Sequence, residues 1–84
     1  GNMTPVFWAR DVRDTGLSRH LANNHVRLSL RQGPAGPEFS GVAFGLGEAF
    51  RTVQDGPFDL AFTLFDDDWH GERVLALMAR GFRR

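Results

Sequence analysis

Residues 42–80 read VAFGLGEAFRTVQDGPFDLAFTLFDDDWHGERVLALMAR, and this run decides the fold. An apolar strand ending in Val42-Ala43-Phe44 meets Gly45-Leu46-Gly47. Gly47 to Val53 has room for about two helical turns, with Ala49, Phe50 and Val53 as a small apolar face. Asp55-Gly56-Pro57 is a turn. Phe58 to Phe65 alternates, with Phe58, Leu60, Phe62 and Leu64 on one side. An acidic turn over Asp66 to Gly71 leads to a last strand, Glu72 to Arg80, with Leu75, Leu77 and Ala79 inward. Strand, short helix, strand, hairpin and strand, in that order, make the second half of a small β-barrel.

The first half supplies the remaining wall. Pro5 to Arg13 reads as a first strand, and the polar Asp14 to Asn24 as a loop or wide connection. His25 to Arg31 alternates strictly: Val26, Leu28 and Leu30 face one way, His25, Arg27, Ser29 and Arg31 the other. Such period-two patterning marks a half-buried strand. Gln32 to Pro37 is a Gly/Pro turn, and Glu38 to Gly45 a third strand in which Gly41 marks a bulge or sharp bend. The sum is an all-β chain of five strands with a short helix between the third and fourth. That is the layout of the OB-fold, a partly open Greek-key barrel. The rival SH3-like barrel lacks a helix at that point.

At 84 residues the chain is one domain with a modest core, built on eight Phe, two Trp and 42% apolar residues. There is no cysteine, hence no disulfide and no thiolate zinc site. No apolar run approaches the roughly 18 residues of a membrane span, and no signal-peptide pattern is visible. This composition fits a cytoplasmic protein. Gly1-Asn2 ahead of Met3 reads as a remnant of tag removal, and residues 3–84 are expected to be a single domain taken from a longer protein. Formal net charge is zero, so the bulk basic signature of a nucleic-acid binder is missing. All ten basic residues are arginine. Arginine suits forked phosphate contacts, but codon bias is the plainer reason for a chain without lysine.

Several runs together resemble one family. They are Pro5-Val6-Phe7 with Arg10-Asp11-Val12-Arg13, then Asn24-His25-Val26-Arg27-Leu28, then Ala43-Phe44-Gly45-Leu46-Gly47. The last is Ala61-Phe62-Thr63-Leu64 leading to Trp69-His70-Gly71 and Leu75-Ala76-Leu77. In this order they resemble the OB-fold domain of RecJ, the bacterial single-strand-specific 5′-to-3′ DNA exonuclease. The likeness spans Pro5 to Phe82. It departs at the all-Asp run Asp66-Asp67-Asp68 and at His70, where the family usually carries Asn. Ala76 stands where Gln is common, and Gly81 where Asp often closes the strand.

The resemblance implies a parent nuclease that cuts single-stranded DNA with manganese or magnesium held by Asp and His in catalytic domains. This chain has no Asp-His-His triplet and no spaced acid and His set of that kind. The segment is therefore expected to be an accessory domain with no catalysis and no cofactor of its own. Its partners would be single-stranded DNA and the parent's catalytic domains, with no membrane. OB sheets offer aromatics to bases and arginines to phosphates. The expected contacts are the outward residues His25, Arg27 and Arg31, with Arg10 and Arg13 from the neighbouring first strand. A barrel that only braces the catalytic domains, or docks a partner protein, is the alternative. Zero net charge and the acidic hairpin favour that alternative.

Other features read as structural. Trp69 and Trp8 fit the capping of a core end, where a large ring is best buried. Asp66, Asp67 and Asp68 lack the alternating ligands of a calcium loop and read as a solvated turn. His20, His25 and His70 are not spaced as a zinc set. Gly45-Leu46-Gly47 is not followed by the Gly-Lys-Ser/Thr of a phosphate loop. Phe50 and Phe58 are expected to fill the barrel bottom.

Overall fold

The computed structural model describes residues 4–69 and 71–84, without the side chains of 67–69 and 72–74. The expectations for Trp69, His70 and the carboxylates of Asp67 and Asp68 lie outside the described residues. The chain runs β1 (Phe7–Asp14), β2 (Arg19–Leu21), a 3-10 turn (Ala22–Asn24), β3 (His25–Gln32), β4 (Glu38–Ala43), α1 (Gly47–Val53), β5 (Phe58–Trp69) and β6 (Glu72–Arg83). The sheet order is β1-β5-β6-β4-β3-β2, and β1 also pairs with β3. Five strands therefore close into a ring, and β2 lies outside it as a short flap on β3. All pairings are antiparallel except β4 with β6, which meet in parallel at Val42 and Met78.

Closure needs one strand to serve two neighbours, and β1 does so by bending at Asp11. Phe7 to Ala9 pair with β5, Val12 pairs with both β5 at Phe58 and β3 at Gln32, and Arg13 and Asp14 pair with β3. Between Ala9 and Val12 the register shifts and Asp11 takes a left-handed φ of 55°. Asp is among the few non-glycine residues that tolerate this region. The bend is held on both sides: Asp11 N–H donates to Asp59 Oδ1 (3.3 Å), and Gly33 N–H donates to the Asp11 carbonyl (2.6 Å). The expected bulge at Gly41 is thus a correction. Gly41 stands in regular register opposite Leu28. It is glycine because a Cβ there would lie 2.6 Å from Leu77 Cδ2 and 2.7 Å from the Leu77 carbonyl oxygen. The missing side chain lets β4 approach β6 at the seam of the barrel.

The alternation of His25 to Arg31 holds: Val26, Leu28 and Leu30 are fully buried with Val12, Leu60 and Ala43. The bottom of the barrel is plugged by α1. Phe50 is fully buried, 6.0 Å from the Phe58 ring and 5.4 Å from that of Phe82. Phe58 and Phe82 meet edge-on at 5.6 Å. Val53 joins this face, whereas Ala49 is exposed. The helix has no cap from its own chain end; Asn24 supplies one from the 3-10 turn. Its Oδ1 accepts the Glu48 N–H (2.9 Å), and its Nδ2 donates to the Gly45 carbonyl (3.0 Å). Asn23 and Asn24 are both left-handed, with φ of 63° and 61°, which suits Asn and few other residues.

Two further expectations change. The connection 14–24 contains β2 rather than only loop. The final hairpin is longer than read: its strands run on to Trp69 paired with Glu72, so 66–69 are strand and not turn. The ribbon outruns the barrel, and its apolar side loses its neighbours. Leu77 and Ala79 are buried as expected, but Leu75 is 64% exposed. No helix among the described residues is long and apolar enough to cross a membrane.

Candidate nucleic-acid interface

The outer wall of β3 carries His25, Arg27, Ser29 and Arg31, as the alternation requires. Its neighbours sort these residues into two ends. At one end Arg31 faces Glu38 on β4 and Arg13 on β1. Like charges directly opposite destabilise a sheet, but here acids intervene: Arg31 pairs with Glu38, and Arg13 with Asp11 at 3.4 Å. At the other end Arg27 faces Arg19 on β2 and Val42 on β4. Among the described residues neither Arg19 nor Arg27 has a carboxylate partner. Two guanidinium groups thus share a wall with their charge uncompensated.

Arg19 is held there by the opposite side of its own strand. His20 points inward, 5.8 Å from the Phe50 ring, and its Nε2 lies 3.0 Å from Gln54 Oε1. Gln54 Nε2 donates to Asp14 Oδ2 (3.2 Å), and Ser18 Oγ donates to Asp14 Oδ1 (2.6 Å). Ser29 N–H donates to Ser18 Oγ at 2.8 Å, and the Thr15 and Ser29 hydroxyls meet at 2.7 Å. This half-buried network stitches residues 14–20 to β3 and to the end of α1. Beside Arg27, a groove of about 520 Å³ runs between β3–β4 and the final hairpin, with Ser29, Ser40 and Val42 on one wall and Leu17, Phe65 and Ala76 among the rest.

The structure places the five sequence candidates as follows. Arg27 lies in the uncompensated pair. Arg13 and Arg31 lie together at the acid-paired end. Arg10 sits at the β1 bend, exposed, its carbonyl accepting from Gln32 Nε2. His25 is half-buried and occupied: its Nδ1 accepts the Gly45 N–H (2.8 Å), and its ring meets Phe44 edge-on at 5.3 Å. Arg19 was missed because a three-residue strand is too short for alternation to register. Trp8 is a correction: it is half exposed on the barrel's outside, not capping the core, with Arg83 4.4 Å above its ring. Among the described residues, no three His, Asp or Glu side chains gather as a cation site.

The wall bearing Arg19 and Arg27 is formed by the second and third strands of the ring with their flap, the face on which OB-folds take oligonucleotides. Ring, plugging helix and exposed wall together define an OB-fold barrel. The family model for the RecJ OB domain matches residues 1–81, and the chain belongs to that family. No curated protein and no solved structure matches it.

Proposed function

We propose that this domain binds single-stranded DNA as an accessory module of a RecJ-like exonuclease acting in DNA repair and recombination in the cytoplasm. The supporting observation is the Arg19–Arg27 pair, opposed across β2 and β3 with no acid partner among the described residues. A polyanion relieves the repulsion that the fold leaves in place, and a local positive stripe acts even at zero net charge. The parent is a metal-dependent 5′-to-3′ nuclease, its manganese or magnesium held in other domains. This domain itself does no chemistry: it holds the strand near the cleft, where tethering makes weak affinity sufficient.

Fluorescence anisotropy with labelled oligo-dT tests this reading. Binding is expected to weaken with salt by about 0.7 log units per log unit of salt for each phosphate neutralised. Arg19→Ala and Arg27→Ala each lower affinity and flatten that slope, while Arg31→Ala, already neutralised by Glu38, has the smaller effect. Absence of binding at low salt and high protein concentration would refute it. Exposed Val6, just before β1, with Phe7 and Trp8 at its start, favours a second role, bracing the barrel against a neighbouring domain.

A further inference from the structure

Phe44 is out of place for an apolar strand residue. It follows β4, is 55% exposed, and yet is firmly held. The His25 ring stands perpendicular to it at 5.3 Å. His25 is itself fixed by the Gly45 N–H, and the Gly45 carbonyl by Asn24 Nδ2. Gly45 adopts a φ of 71°, so the chain turns away directly after the ring. The aromatic surface is therefore positioned from behind and left open in front. Single exposed apolar residues are common; one braced by a histidine and two backbone hydrogen bonds is not explained by that alone.

Its surroundings are equally specific. Val42 pairs with Met78 across the parallel seam. Phe44 lies two residues beyond Val42, just after β4, and Arg80 two beyond Met78, at the bulge where Ala79 pairs with Phe62 and Gly81 with Ala61. Phe44, Leu46, Met78, Ala79 and Arg80 line a cavity of about 300 Å³. Arg80 is exposed and has no carboxylate partner among the described residues. The wall thus runs from Arg19 and Arg27, past Val42, to an open aromatic ring with another arginine beside it. A ligand matching this must be a polyanion that also offers planar apolar faces.

We infer that Phe44 stacks an unpaired base, with Arg80 and Arg27 taking the phosphates on either side of it, so that this wall prefers single strands to duplex. The inference rests on the single-strand-binding reading and adds the source of its selectivity. Stacking on an aromatic side chain contributes on the order of fivefold to a hundredfold in affinity per base. A base already paired within a duplex cannot reach the ring. His25 acts as a positioning residue, setting the ring without touching the strand.

The test compares oligo-dT, an abasic strand of equal length and a duplex, using the intact chain. Wild type should bind oligo-dT at least about fivefold more tightly than the abasic strand, and the duplex more weakly than oligo-dT. Phe44→Leu should lower oligo-dT affinity to the abasic level and leave abasic binding unchanged. Phe44→Trp should retain the preference, its indole fluorescence quenched on binding. Because Phe44 is largely exposed, circular dichroism should find both variants folded. Equal loss on both strands in Phe44→Leu, or no loss on either, overturns the stacking site while leaving single-strand binding intact. Failure of wild type to bind any of the three overturns both.

Discussion

Asn24 and Gly41 carry more of this fold than their size suggests. Asn24 caps α1 from another element and also holds the turn at Gly45. Asn24→Ala should cost about 1–2 kcal/mol, read as a lower urea midpoint with an unchanged m-value. Gly41→Ala puts a methyl group against the Leu77 side chain and carbonyl. Overpacking of this kind costs about 1–3 kcal/mol, and the double variant with Leu77→Ala should recover part of it. Non-recovery would mean that the Leu77 carbonyl oxygen, which Leu77→Ala leaves in place, is what excludes a side chain there. The sequence marks Gly41 as special but not why: a lone glycine in a strand pattern fits a bulge and a close approach equally. The real bend falls on Asp11, where no glycine signals it. Phe44 is likewise illegible, since Val42-Ala43-Phe44 has the same apolar look whether its last ring faces the core or solvent.

Elements with strong periodicity were legible, and those that depend on tertiary partners were not. The seven alternating residues of β3 fixed both its buried and its outward side. The helix falls at Gly47–Val53, as its apolar spacing and the flanking glycines indicate. By contrast β2 exists because His20 reaches Gln54 and Ser18 reaches Ser29, contacts between residues distant in the chain. Gln54→Ala removes the partner of His20 and one of the two partners of Asp14. Amide exchange at Arg19 to Leu21 should then speed by about tenfold, for a loss near 1.4 kcal/mol, while the β3 core amides change less. Equal acceleration throughout would show that β2 opens only with the whole barrel. The hairpin is the converse case: the acidic run at 66–68 has the composition of a turn, yet cross-strand pairing carries it as strand to Trp69.

For the whole molecule, balanced charge hides an uneven distribution. Four arginines pair with carboxylates: Arg13 with Asp11, Arg31 with Glu38, Arg83 with Asp59 and Arg84 with Asp55. Arg10, Arg19, Arg27, Arg51 and Arg80 have no such partner among the described residues, and of these Arg19 and Arg27 stand opposed on one wall, with Arg80 across the β4–β6 seam. Of the five candidates drawn from the sequence, Arg27 falls in that wall's uncompensated centre, while Arg13 and Arg31 meet acids that only the folded register brings alongside. The measurement that most directly tests this arrangement is a heteronuclear NMR titration of the chain with oligo-dT at low salt. The expected result is progressive shifts concentrated at Arg19, Arg27, Val42, Phe44 and Arg80, suppressed by added salt, with Val6 to Trp8 unmoved. Shifts confined to Val6 to Trp8 or the hairpin, or none at all, would contradict a single-strand-binding wall on β2, β3 and β4.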